Sequence, residues 1–140
     1  MKGYILLTII LLASLISADA QIIGKWKTVD DEDGTEKSVV EIYEKNGKLH
    51  GRVDKLLAGA EATHCAACPG ELKDKPLVGM EILVDLEKTS SGGEDGEILD
   101  PKNGKWYSCY LELVSQDKLK LRGYIGITAL GRTQYWYRVK

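Results

Sequence analysis

The densest group of reactive side chains lies in "THCAACPG", residues 63–70. Cys65 and Cys68 are two residues apart, with His64 just before them and Pro69 just after. Four chemistries use such a pair. A thioredoxin-type redox centre needs the cysteines at the start of a helix that follows a strand, so that the helix lowers the thiolate pKa. A c-type haem needs Cys-x-x-Cys-His, and here the histidine precedes the pair. A structural zinc needs four ligands. The pair supplies two, and His64, His50 or Cys109 could complete the set, but there is no second cysteine pair. The fourth chemistry is a disulfide, which suits a chain in an oxidising compartment. It would close a very small loop, so its main effect would be to tie down a turn. Cys109 is then either a buried free thiol or a third partner that bonds Cys65 or Cys68.

Other reactive groups are scattered. Arg122 in "LKLRGYIG" and Arg132 in "LGRTQYW" sit among apolar and aromatic residues. Gly123, Gly126 and Gly131 nearby suggest tight bends or close backbone approach. Either arginine could lay its stem over aromatic surface with its head in water. Either could instead meet an anionic headgroup, with Tyr124, Tyr135 and Tyr137 lining the same mouth. Neither His50 nor His64 belongs to a catalytic motif. Ser108 and Ser115 lack a nucleophile-elbow context. Asp30, Asp31, Glu32 and Asp33 read as a solvated turn without EF-hand spacing. There is no glycine-rich phosphate loop. The sequence therefore nominates no catalytic residue, no cofactor and no metal site, and the protein is read as a non-enzyme.

The elements that must position these groups are strands. "GKWKTVD" (24–30), "KSVVEIYE" (37–44), "LHGRVDKLL" (49–57), "LVGMEILVDLEK" (77–88), "EILD" (97–100), "KWYSCYLELV" (105–114), "KLKLRGYIG" (118–126) and "RTQYWYRV" (132–139) all read as strand. Asn46-Gly47 and Asn103-Gly104 are hairpin signals. In 118–125, Leu119, Leu121, Gly123 and Ile125 share one face, and Lys118, Lys120, Arg122 and Tyr124 the other. In 107–113, Tyr107, Cys109, Leu111 and Leu113 share a face. "TSSGGEDG" (89–96) reads as a flexible loop, and 58–76 as the longest irregular connection. Successive hairpins predict an all-β fold: a small antiparallel up-and-down barrel of about eight strands, a topology that removes exposed edges. An open sheet or sandwich is the alternative.

Residues 1–20, "MKGYILLTIILLASLISADA", carry Lys2, an apolar run from Tyr4 to Leu15, and a small-x-small site at Ala18-Asp19-Ala20. This predicts a signal peptide cut after Ala20, and export to the periplasm or beyond. The run is short for a bilayer span, and no later run is longer, so a membrane-spanning chain is not expected. Residues 21–140 make one domain. The formal charge of −2, with 19 basic and 21 acidic side chains, argues against nucleic acid as a partner.

Two resemblances add to this reading. Gly24-Lys25-Trp26 resembles the Gly-x-Trp signature of the first strand in lipocalin-type barrels. There the tryptophan closes one end and packs on an arginine near the C-terminus, a part that Arg138 is placed to play. That would make Gly24, Trp26 and Arg138 structural, with Trp26 and Arg138 joined by cation–π attraction. Further, "GKWKTVDDEDG", "VVEIYEKNGKLHGRV", "CAAC", "KDKPLVGMEIL", "GEILDPKNGKWYSCYLEL" and "KLKLRGYIGITALGRTQYWYRV" occur in that order. Together they resemble the bacterial secreted family known as domain of unknown function 2147. That resemblance implies a small exported bacterial protein and no particular activity. The expected function is binding of a lipid-like apolar or amphipathic molecule in the barrel. Two alternatives are an envelope protein acting through its outer face or the 58–76 loop, and a thiol-redox or metal protein using Cys65 and Cys68.

Overall fold

The computed structural model describes residues 21–140; the leader read at 1–20 lies outside the described residues. Eight antiparallel strands follow one another around a closed barrel: β1 (Gly24–Val29), β2 (Glu36–Lys45), β3 (Lys48–Leu56), β4 (Glu81–Lys88), β5 (Gly92–Asp100), β6 (Lys105–Ser115), β7 (Lys118–Tyr124) and β8 (Gly131–Arg138). Each strand pairs with its neighbour in sequence, and β8 returns to β1 through Trp26 opposite Arg138 and Lys27 opposite Tyr137. The barrel class expected from the hairpin pattern is the one observed. Among the described residues, no helix is long and apolar enough to cross a membrane.

The turns follow from their residues. Asn46 and Gly47 take positive φ (54° and 77°), the two left-handed positions that a tight β2–β3 hairpin requires. Alternation places Trp26, Val40, Ile42, Leu49, Leu83, Leu86, Leu111, Leu119 and Trp136 inside, all at most 2% exposed. These side chains fill the half of the barrel nearer Trp26.

Two segments differ from expectation. Residues 92–96, expected in a flexible loop, form the start of β5. Their glycines are there for contact: a Cβ on Gly92 would lie 2.2 Å from the Leu111 carbonyl oxygen, and one on Gly96 2.5 Å from Leu86 Cγ. A glycine-rich stretch reads as a loop by composition, yet here it lets β5 press against β4 and β6. The fourth strand, expected from 77, begins at Glu81. Leu77 to Met80 form a turn closed by Met80 N–H donating to the Leu77 carbonyl (3.0 Å), with Gly79 at φ 88°.

Candidate functional site

Above the packed half, the barrel opens into a cup of about 840 Å³. Its wall takes Thr28 from β1, Ser38 from β2, Val53 and Leu56 from β3, Ile82 from β4, Ile98 from β5 and Tyr107 from β6. Leu121 and Gly123 come from β7, and Gln134 and Trp136 from β8. Most of these are apolar. The polar ones are partly answered within the wall: Thr28 and Ser38 share a hydrogen bond (2.8 Å), and Trp136 Nε1 donates to Gln134 Oε1 (3.4 Å). The space exists in part because β7 carries glycine at 123. A Cβ there would meet only Ile98 Cγ2 at 3.8 Å and Tyr107 Cβ at 4.0 Å, so nothing packs over that wall position.

Four ion pairs, made by three cations, rim the mouth. Arg132 grips Asp31 with two contacts (Nη2–Oδ1 2.6 Å, Nε–Oδ2 2.9 Å) and also reaches Glu32 (3.0 Å). Lys102 meets Asp30 (3.3 Å), and Lys37 meets Glu61 (3.2 Å). Each bridges elements far apart in sequence, so together they tie β8, the β5–β6 turn and the long loop to the β1–β2 hairpin. Asp30 also accepts from the backbone N–H of Glu32 (2.8 Å) and Asp33 (3.3 Å). These bonds and Lys102 hold its carboxyl below the usual range, the Glu32 bond being the largest cause. Asp30 and Asp31, read from sequence as plain solvated turn, are therefore part of the mouth. No local signal marks them, because their partners lie 72 and 101 residues away.

The proposed ligand residues divide. Arg132 lines the cup at its mouth, whereas Tyr124, on the same face of β7 as Arg122, sets its ring beside the outward Tyr110 (centroids 6.5 Å apart) at the rim. Arg122 lies on the outer face of β7 and donates to the carbonyls of Thr128 (2.7 and 3.0 Å) and Ala129 and to Thr133 Oγ1, holding the β7–β8 loop. Tyr135 and Tyr137 also face outward, each 40% exposed, with Lys118 Nζ over their rings at 4.5 and 5.9 Å. Period-two alternation separates these three from the inward Gln134 and Trp136. His64, given no role beyond a possible zinc ligand, also lines the mouth, where Nδ1 is 2.8 Å from Thr63 Oγ1.

Cys65 and Cys68 are joined by a disulfide, and Cys109 is a buried free thiol. The bridge is followed by a single 3₁₀ turn at Gly70–Leu72 and not by an α-helix, so the redox geometry is absent here. Burial, and then the charge of Glu97, push the Cys109 thiol up to about 12, so it stays protonated and unreactive at neutral pH. The 58–76 loop does not present an apolar patch. It turns Cys65 and Cys68 inward, and its Ala66 and Ala67 help wall the cup. The exposed apolar tip lies instead at Ile125, Ile127 and Leu130, between β7 and β8.

The closed end is built as the Gly-x-Trp pattern implied. Trp26 is fully buried, its Nε1 donates to the Ile22 carbonyl (2.8 Å), and the Arg138 guanidinium lies 4.3 Å from its ring centroid. Arg138 also donates to the Gln116 carbonyl (2.9 Å) and to the Gln21 carbonyl. A Cβ on Gly24 would stand 3.3 Å from Arg138 Nη1, and Gly24 sits at φ 137°, so glycine clears the arginine's path.

Three comparisons bear on identity. The solved structure of protein HP1028 from the human pathogen Helicobacter pylori, described as belonging to the lipocalin family, superposes with a TM-score of 0.74. The match is 23% identical and covers 84% of this chain and 82% of that one, a likeness of fold. No curated protein matches the chain. The family model of uncharacterized proteins conserved in bacteria, domain of unknown function 2147, matches residues 24–138, from the glycine that opens β1 to the arginine that stacks on Trp26. The chain therefore belongs to that family, and it carries it on a lipocalin-like barrel with one end plugged and the other open.

Proposed function

We propose that this protein is an exported carrier that binds a small apolar or amphipathic molecule, lipid-like in character, in its cup. The observation that carries the reading is the cup itself: about 840 Å³ of space lined mainly by aliphatic and aromatic side chains, open at one end and plugged at the other. That size lies within the range of roughly 300–1,000 Å³ usual for small-molecule sites. An apolar tail would gain about 25 cal/mol for each Å² it withdraws from water. The rim gives a polar headgroup partners of both signs, because Arg132, Lys102 and Lys37 each already face a carboxylate.

The test uses Gly123, where a larger side chain points into the cup with no close neighbour to displace. Gly123→Leu should keep the barrel folded and weaken uptake of a fluorescent fatty-acid probe at least tenfold. Arg122→Gln, on the outer face, should leave uptake unchanged. If the wild-type protein takes up no apolar probe, or Gly123→Leu takes it up equally well, the cup is not a binding site.

A further inference from the structure

The outer wall of the barrel holds a second group of polar side chains with no part in the cup. His50 lies on the solvent side of β3, yet its side chain is only 5% exposed. Tyr43, the residue paired with it across β2, covers it with stacked rings 6.1 Å apart. His50 Nδ1 is 3.1 Å from Glu81 Oε1 on β4. Glu81 is itself fixed by the Tyr43 hydroxyl, which donates to it, and by Lys45 Nζ (3.0 and 3.2 Å).

This anchoring has a consequence at the other ring nitrogen. A neutral imidazole carries one N–H. In the tautomer that gives Nδ1–H to Glu81, Nε2 carries the lone pair and faces the outer groove. What it faces is another acceptor: Asp85 Oδ1, 3.7 Å away. That separation is too long for a hydrogen bond. It is within a few tenths of an ångström of the roughly 3.4 Å between two ligand atoms that stand about 2.1 Å from one tetrahedral zinc. The backbone brings Asp85 there. Leu83 and Leu86 are both fully buried though three residues apart, so β4 must bulge between them, and Asp85 takes the extra position at φ 58°. A carboxylate that orients one nitrogen while the other faces an open position is the usual second-sphere arrangement of metal-bound histidine.

We infer that this groove binds a divalent first-row cation of the zinc type, held by His50 Nε2 and Asp85, with Glu81 as the positioning residue on Nδ1. Glu97 from β5 lines the same groove, and water supplies the remaining positions. Lys45 and Lys48 also line it and keep the local charge from being strongly negative, so binding is selective for an ion that favours imidazole nitrogen over one that needs only carboxylates. The exposed trio Glu87, Glu94 and Asp95, whose ligand atoms fall within 4.8 Å of one another, has no imidazole and serves as the internal control.

The test is a Zn²⁺ titration of the purified, disulfide-intact protein, read by calorimetry and by the ring-nitrogen resonances of the two histidines. One equivalent should bind and displace the His50 Nε2 resonance while the His64 ring stays put. Asp85→Asn should weaken binding tenfold or more; asparagine tolerates the left-handed backbone at this position, so the fold is kept. Glu81→Gln should weaken it roughly 10- to 100-fold. The inference is overturned if the His50 resonance is unmoved at saturating Zn²⁺, if Asp85→Asn binds as the wild type does, or if binding disappears with Glu87→Gln and Glu94→Gln instead.

Discussion

Tyr43 shows how one covered polar contact sets the acid–base behaviour of a surface. Its hydroxyl donates to Glu81 beneath the Arg52 guanidinium, whose centre is 4.8 Å from the ring centroid. Burial first, and then the bond to Glu81 and its charge, push the Tyr43 phenol up to about 12. The raised value means that the protonated phenol is the form the fold favours. Its contribution to stability is fully present below the ordinary phenol pKa of about 10, and is lost as pH rises through about 12. Glu81 has the opposite sign. Its carboxyl is held low, so its contribution is present above the ordinary carboxylate range and lost as pH falls through the lowered value. An ultraviolet titration should show a tyrosinate forming near pH 12 that disappears in Tyr43→Phe. Denaturant midpoints should decline between pH 10 and 12 in the wild type, and less steeply in Tyr43→Phe. Equal slopes in the two proteins would contradict this account. The residue types at this site were visible in the sequence, but their meeting was not. His50 sits at an outward position of an alternating strand, where solvent is the default, and its cover comes from β2 and β4.

The long loop between β3 and β4 shows how an element without regular structure is held. Hydrogen bonds run from Cys65 N–H to the Lys75 carbonyl (2.9 Å), from Asp74 N–H to the Cys65 carbonyl (2.9 Å) and from Leu77 N–H to the Thr63 carbonyl (2.9 Å). The Cys65–Cys68 bridge closes only a three-residue separation, so chain entropy credits it with about 2 kcal/mol. Docking onto the β5–β6 turn matters as much. Gly104 has φ 72°, and a Cβ there would stand 2.0 Å from the Ala67 carbonyl oxygen. Gly104→Ala should therefore cost about 1–3 kcal/mol and expose the bridge to faster reduction. Gly34→Ala, at φ 73° with open space around it, should carry the backbone cost alone and leave reduction rates unchanged. Equal reduction rates in both variants would show that the loop does not dock there. Asn103-Gly104 was legible as a turn. What was not legible is that the glycine also clears a path for a segment some 37 residues earlier. The same holds for Gly92 and Gly96, whose small size serves a contact with neighbouring strands.

At the scale of the whole molecule, closure is the decisive event. The β1–β8 seam is short: its register covers only Trp26 with Arg138 and Lys27 with Tyr137. Val139 N–H adds a bond to the Lys25 carbonyl (3.0 Å). The rest of the closing interaction comes from Trp26, buried under Ile22 and Arg138. Trp26→Ala should lose about 3–5 kcal/mol in denaturant unfolding, with amide exchange rising first along β1 and β8. A loss under 1 kcal/mol would mean that the plug is dispensable. The plug also defines the cup, because a barrel of eight strands has an interior that side chains can just fill. Here they fill one half and leave the other open.

The barrel class, the turns and most of the strands and inward faces could be read from the sequence because each depends on neighbours a few residues apart, whereas the glycine-rich start of β5 read as a loop. Alternation of period two and the Asn-Gly turns are local properties, and successive hairpins leave few topologies open. The closing pair Gly24-Lys25-Trp26 and Arg138 was legible only by resemblance, since its partners are more than 100 residues apart. The tertiary structure alone decided the rest. It chose Arg132 for the mouth and turned Arg122, Tyr124, Tyr135 and Tyr137 outward. The Cys65–Cys68 bridge was expected from the sequence; what the structure added is that Cys109 stays apart from it. The tertiary structure also set Asp31 against Arg132 across 101 residues, and Asp85 against His50 through a bulge. These are consequences of register and closure. One residue of slip on any strand would exchange its two faces, and no stretch of sequence shorter than the barrel itself specifies which partners then meet.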